Sequence, residues 1–140
     1  DRLLDMGCGS GILSVAAHML GAEDVTAVDI DPNAVRIAAE NAEKNGFALH
    51  TGVGDVIGDA ELSVRIGGDY DIIVANIVAD VIMGMQDILK SKLKREGTLI
   101  VSGIIAPRAD EVQASLLGAG FVLDRRDQSG DWVAMTLHQA

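Results

Sequence analysis

The chain has 140 residues and a formal net charge of −10, with 49% apolar residues and 16 Gly. That length suits one domain able to bury a core, and the glycines imply many tight turns. The acid excess leaves no basic face for phosphates, which argues against a nucleic-acid partner, and no apolar run is long enough to span a bilayer.

Cys8 is the only cysteine, so a disulfide framework and a cysteine-based metal centre are excluded and a reducing, cytoplasmic setting fits. An acidic domain attracts a cationic partner such as a lysine-rich protein. The chain opens on Asp1-Arg2-Leu3-Leu4-Asp5 without an initiator Met. That opening reads as the interior of a strand and implies a protein that continues upstream.

In chain order, Leu3–Met6 is a short apolar strand and Gly7 to Gly11 a turn. Ile12, Val15, Ala16 and Met19 fall at helical spacing and predict a helix that ends near Gly21. Val25–Asp29 is a second strand. Asp31 then offers an N-cap with Pro32 at the first helical position, and Val35, Ala38, Ala39 and Ala42 carry the helix to Asn45-Gly46. Phe47–Thr51 reads as a third strand, and Gly52–Gly68 as one helical turn at most, around Ala60–Val64. The continuous apolar run within Tyr70–Asn76 predicts a central strand covered on both faces. A helix from Ala79 to Leu93, a fifth strand at Thr98–Ser102 and a helix opened by Pro107 follow. Phe121–Asp127 and Trp132–His138, joined by Gln128–Asp131, predict an antiparallel hairpin. The alternation gives an α/β class: a doubly wound, mostly parallel sheet closed by a C-terminal antiparallel hairpin.

Asp5-Met6-Gly7-Cys8-Gly9-Ser10-Gly11 lies between the first strand and its helix, where glycines let backbone approach a ligand. A dinucleotide fingerprint is G-x-G-x-x-G, but here the third glycine comes one residue early and Ile12 follows it. The spacing suits a cofactor with no pyrophosphate. S-adenosyl-L-methionine fits: its carboxylate can take helix N-terminal N–H groups, and Asp5, read as a loop acid, can attract its amino group. Asp29 ends the second strand, 18 residues after Gly11, where an acid accepts hydrogen bonds from ribose hydroxyls. Asp31 is the better helix cap and leaves Asp29 free. Asp55, after the third strand, is a candidate acceptor for an adenine amino group.

Asn76 ends the fourth strand in Val74-Ala75-Asn76-Ile77-Val78-Ala79, where strand ends line a ligand crevice. Its carboxamide has an acceptor and donors to hold an amine with its lone pair toward a sulfonium methyl. The implied reaction is direct in-line methyl transfer, in which orientation supplies much of the rate. A lysine acceptor must first lose a proton. With a pKa near 10.4 that costs about 4 kcal/mol at neutral pH, which desolvation offsets in part. No residue announces itself as a base. Cys8 lacks a partnered His and reads as a loop residue, His18 and His50 have no metal-ligand partner, and Met83, Met85 and Trp132 read as packing residues.

Asp5-Met-Gly-Cys-Gly-Ser-Gly-Ile-Leu-Ser, Val28-Asp-Ile-Asp-Pro, Val74-Ala-Asn-Ile-Val-Ala-Asp, Ser102-Gly-Ile and Gly130-Asp-Trp-Val together resemble the catalytic domain of the PrmA family. These enzymes methylate the stalk-base protein of the large ribosomal subunit. The first two stretches are general to class I methyltransferases, and the others are more particular to this family. The resemblance implies a seven-stranded class I fold over residues 1–140, with cofactor contacts at Gly7, Asp29 and Asn76. With the motif neighbours, the candidate cofactor set is Asp5, Gly7, Cys8, Gly9, Gly11, Asp29, Ile30, Asp55 and Asn76, with Asn76 also the catalytic candidate. It further implies lysine and N-terminal amines of that ribosomal protein as acceptors, recognised mainly by an N-terminal domain absent from these residues. The alternatives are a class I enzyme acting on a small molecule or another protein, or a methyltransferase-like domain that binds cofactor without turnover. Ile77-Val78 after Asn76 departs from the Asn-Pro-Pro-aromatic stretch of glutamine- and DNA-amino-modifying relatives.

Overall fold

Apolar runs and glycine punctuation resolve into seven strands and five α-helices in a computed structural model that describes all 140 residues. In chain order these are β1 (Arg2–Met6), α1 (Ile12–Met19), β2 (Asp24–Asp29), α2 (Pro32–Lys44), β3 (His50–Val53), α3 (Ala60–Ile66) and β4 (Tyr70–Asn76). Then come α4 (Ala79–Lys92), β5 (Leu93–Ile105), a 3-10 turn (Ala106–Arg108), α5 (Ala109–Gly118), β6 (Phe121–Ser129) and β7 (Trp132–Gln139). The strands form one sheet in the order β3-β2-β1-β4-β5-β7-β6. All neighbours are parallel except β7, which runs antiparallel to both β5 and β6. The predicted sheet and hairpin are therefore present. No helix is long and apolar enough to cross a membrane.

The register of β1 sets the position of the site. Met6 pairs with Val28 of β2 on one side and with Ala75 of β4 on the other. The next residue of each strand, Gly7, Asp29 and Asn76, therefore emerges at the same sheet edge. Side-chain alternation sends Leu4 and Met6, Ile73 and Ala75, and Leu99 and Val101 to one face. There they pack with Leu62 and Ile66 of α3, Ile82, Met85 and Leu89 of α4, and Val112 and Leu116 of α5. The opposite face carries a small cluster of Cys8, Ala27, Val35 and Ala38 under α1 and α2.

Several boundaries depart from the sequence expectations. β3 begins at His50 rather than Phe47, because Phe47 closes α2 instead. Its N–H donates to Ala42 O (3.1 Å), and its ring stacks on His18 at 4.0 Å. α3 is a full helix, capped by Asp59 accepting from Leu62 N (3.0 Å) and anchored by buried Leu62 and Ile66. β5 starts at Leu93, pairs it with Tyr70, and absorbs polar Lys94–Glu96 in an irregular stretch. The hairpin turn shrinks to Gly130-Asp131.

Burial departs from the simple pattern in two places. The α1 stripe is largely in water, with Ile12 72% and Met19 74% exposed, because α1 seats its Ser14 side on the sheet. β4 is fully covered on one face only: Ile73 and Ala75 are buried, while Ile72 and Val74 are half-buried. The two faces should therefore respond differently to truncation. Ile73→Ala is expected to cost about 2–5 kcal/mol in urea unfolding, and Ile72→Ala about 1–2 kcal/mol. Equal losses would mean that both faces are covered alike.

Candidate functional site

The glycine loop is held by backbone bonds before any ligand is considered. Gly7 N and Cys8 N both donate to Val28 O (2.8 and 3.1 Å), and Gly11 N donates to Cys8 O (2.9 Å). Asn41 of α2 donates from Nδ2 to Ser10 O (2.8 Å). Gly7, Gly9 and Gly11 all have positive φ (74°, 54° and 84°), a region costly for residues with a Cβ. At Gly11 a Cβ would stand 2.8 Å from that of Ala38, so the loop seats directly on α2. The amides of Ser10, Ile12 and Leu13 make no backbone hydrogen bond and remain as donors at the start of α1.

Asp29 joins loop and helix. Its Oδ2 accepts from Gly9 N (3.0 Å) and its Oδ1 from Asp31 N (3.0 Å). Each carboxylate oxygen keeps a further acceptor site. Asp31 caps α2 by accepting from Asn33 N (2.9 Å), which is the division of labour expected from Asp31-Pro32.

Beside Asp29 opens a cavity of about 430 Å³, within the range of small-molecule sites. Of the sequence candidates, Gly7, Asp29, Ile30, Asp55 and Asn76 line it. Ile30 and Ile57 stand 71% and 49% exposed at the wall, apolar surface suited to a flat ring, with buried Val56 beneath. Asp55 forms a turn by accepting from Ile57 N (3.0 Å) and is solvent-exposed. Across the cavity, Asn76 is exposed and its carboxamide has no hydrogen-bond partner in the chain. Ile77, Val78, Val81 and Met85 complete the apolar side.

Four candidates sit elsewhere. Asp5 is a residue of β1, not a loop acid, and is fully buried beneath the loop. Its Oδ2 accepts from Ser14 Oγ (2.8 Å), and its Oδ1 has no partner. Burial pushes its pKa above the ordinary carboxylate value, reinforced by nearby Asp29 and opposed by hydrogen bonding from Ser14. Cys8 turns its thiol into the cluster with Ala27, Val35 and Ala38, and burial together with the charges of Asp5 and Asp29 pushes it up to about 12. A thiol so placed is no nucleophile at neutral pH. Gly9 and Gly11 shape the loop from outside the cavity lining. Trp132, expected to pack, is 57% exposed where β7 pairs with Ile105. Sequence reasoning missed Ser14, Asn41, Val56, Ile57 and Val81. Only an Asx-turn pattern at Asp55-Val56-Ile57 could have flagged any of them.

A parallel sheet in this order, with a glycine loop after β1, an acid ending β2 and an antiparallel final strand, defines the class I methyltransferase fold. Over residues 1–140 the chain matches the family model for ribosomal protein L11 methyltransferase (PrmA). It is 47% identical over 131 residues to a ribosomal protein L11 methyltransferase of Pelotomaculum thermopropionicum, covering 94% of this chain and 41% of that protein. With the corresponding protein of Acetivibrio thermocellus it shares 44% identity over 136 residues, covering 97% and 42%. The crystal structure of a ribosomal protein L11 methylase from Lactobacillus delbrueckii subsp. bulgaricus superimposes with a TM-score of 0.89 at 32% identity, covering 99% of this chain and 69% of that one. A TehB-like SAM-dependent methyltransferase from Corynebacterium glutamicum, at 18% identity and a TM-score of 0.79 over 99% of this chain and 80% of that one, shares the fold alone. This chain belongs to the ribosomal protein L11 methyltransferase family, and it spans roughly two-fifths of the length of those curated relatives (41% and 42%).

The buried carboxyl of Asp5 gives a pH test. A raised folded pKa means its contribution to stability is full below the ordinary value, near 3.9, and is lost as pH rises through the folded pKa. The Tm of Asp5→Asn relative to wild type should therefore climb as pH rises from about 4, then level off. A difference independent of pH would mean that no buried ionisation is being relieved.

Proposed function

We propose that this chain binds S-adenosyl-L-methionine in the cavity beside Asp29 and transfers its methyl group to amines of a ribosomal protein. The observation that carries this reading is the pairing of a pre-positioned carboxylate, Asp29, with an unpartnered carboxamide, Asn76, across one apolar-walled cavity. The residues suit the cofactor. Gly7 lines the cavity as bare backbone and packs so closely on Ile77 that a Cβ there would collide with it. The remaining acceptor sites of Asp29 suit ribose hydroxyls, and the open amides of Ser10, Ile12 and Leu13 suit a carboxylate at a helix start. Ile30, Val56 and Ile57 offer apolar contact to an adenine ring, and Asp55 an acceptor for its amino group.

When bound, the cofactor supplies an electrophilic methyl group on a sulfonium. The chain's own groups then have two tasks. Asn76, through its carboxamide oxygen, accepts a hydrogen bond from the incoming amine and fixes the direction of the nitrogen lone pair. Ile77, Val78 and Val81 present apolar surface there, which favours the neutral amine over the ammonium. Lysine and N-terminal amines of the large-subunit ribosomal protein are the acceptors this reading names. Their selection falls mainly to a recognition domain outside these residues.

Calorimetry tests the cofactor half. S-adenosyl-L-methionine should bind the wild-type chain, and Asp29→Ala should weaken it by about 10- to 100-fold, the worth of hydrogen bonds to a charged group. Binding of NAD without S-adenosyl-L-methionine would overturn the assignment. For transfer, mass spectrometry of unmethylated ribosomal protein L11 incubated with cofactor and the full-length protein that contains this chain should show added methyl groups. Asn76→Ala should lower kcat at least about tenfold.

A further inference from the structure

On the side of β4 away from β1, β5 breaks its ladder with β7 next to Asn76. β5 pairs with β7 up to Val101 and resumes at Ile104, so Ser102 and Gly103 form an irregularity in that ladder. Ser102 is the register partner of Asn76. Gly103 follows with φ +74°, and a Cβ built there would lie 2.5 Å from Asn76 Oδ1 and 3.7 Å from Ile77 N. Gly7, on the other neighbour of β4, has the same φ of 74°, and its Cβ would strike the Ile77 side chain. Asn76-Ile77 is thus clasped between two left-handed glycines, one from each flanking strand. The first shapes the loop under the cofactor. The second does not itself line the cavity and reaches it only through Asn76 and Ile77.

Resting on the reading that Asn76 orients the acceptor amine, we propose that Gly103 is a positioning residue for that carboxamide. Its missing Cβ lets the amide lie against β5, with Oδ1 in the space a side chain would fill. Gly103 therefore acts on the orientation of the acceptor and not on the cofactor.

Gly103→Ala tests this. In 15N NMR of the chain, the Asn76 side-chain NH2 resonances should move while amides of α2 stay in place, a readout that needs neither cofactor nor substrate. In turnover of the full-length protein with ribosomal protein L11, kcat should fall by up to about a hundredfold, with cofactor affinity within about threefold of wild type. Adding Gly103→Ala to Asn76→Ala should then cost no further turnover, because both act through one group. Unmoved Asn76 resonances would overturn the proposal, as would additive losses in the double variant. If wild type fails to bind S-adenosyl-L-methionine, the functional reading falls, but the NMR result still decides whether Gly103 places Asn76. If Gly103→Ala does not fold, recovery of the fold in Asn76→Ala/Gly103→Ala supports the clash with Asn76. Failure of both variants assigns the glycine to backbone conformation alone and overturns the proposal.

Discussion

Much of the site depends on where one carboxylate puts its hydrogen bonds. Asp29 receives Gly9 N on one oxygen and Asp31 N on the other, so it joins the glycine loop to the start of α2. Asp31, with its backbone N–H committed to Asp29, uses its own side chain to cap Asn33. Loop, strand end and helix start thus form one hydrogen-bonded unit, and a ligand meeting Asp29 finds a group that is already ordered. Such pre-organisation lowers the entropy lost on binding.

The fold was legible because its signals were local and repeated. Glycines at strand ends, the Asp31-Pro32 cap and the uninterrupted run of β4 each correspond to an element of the expected kind. The positions of Asp29 and Asn76 followed from a rule about parallel sheets, that strand C-termini gather at a crevice. What escaped were features set by tertiary partners. Phe47 looked like a strand residue until His18 and the end of α2 claimed it. Asp5 lies inside the strand expected at Leu3–Met6, so the loop-acid reading conflicts with that strand, and its buried environment depends on Ser14, nine positions on. The walls at Val56, Ile57 and Val81 come from segments whose own patterns say nothing about a cavity.

Helical spacing in α1 identified the helix but not the face it buries. Ser14, the polar residue, points inward because Asp5 lies buried beneath it, while Ile12 and Met19 face water. Leaving a buried carboxyl group without a hydrogen bond costs more than burying two aliphatic side chains would gain. The electrostatic need of Asp5 therefore prevails over the hydrophobic stripe in orienting the helix.

The strand order has a kinetic consequence. β1 lies between β2 and β4, so Asp29 and Asn76 face one cavity only after β1 has paired with strands on both sides. The pairing of β1 with β4 joins Leu3 to Ile72 and closes a long loop before it gains contacts, a slow step in any chain. The crevice exists only when both pairings of β1 are made, so it is lost if either side of the sheet opens. A molecule bound there would hold together both halves of the β-layer and slow the opening of the whole domain, not only of the loops it touches.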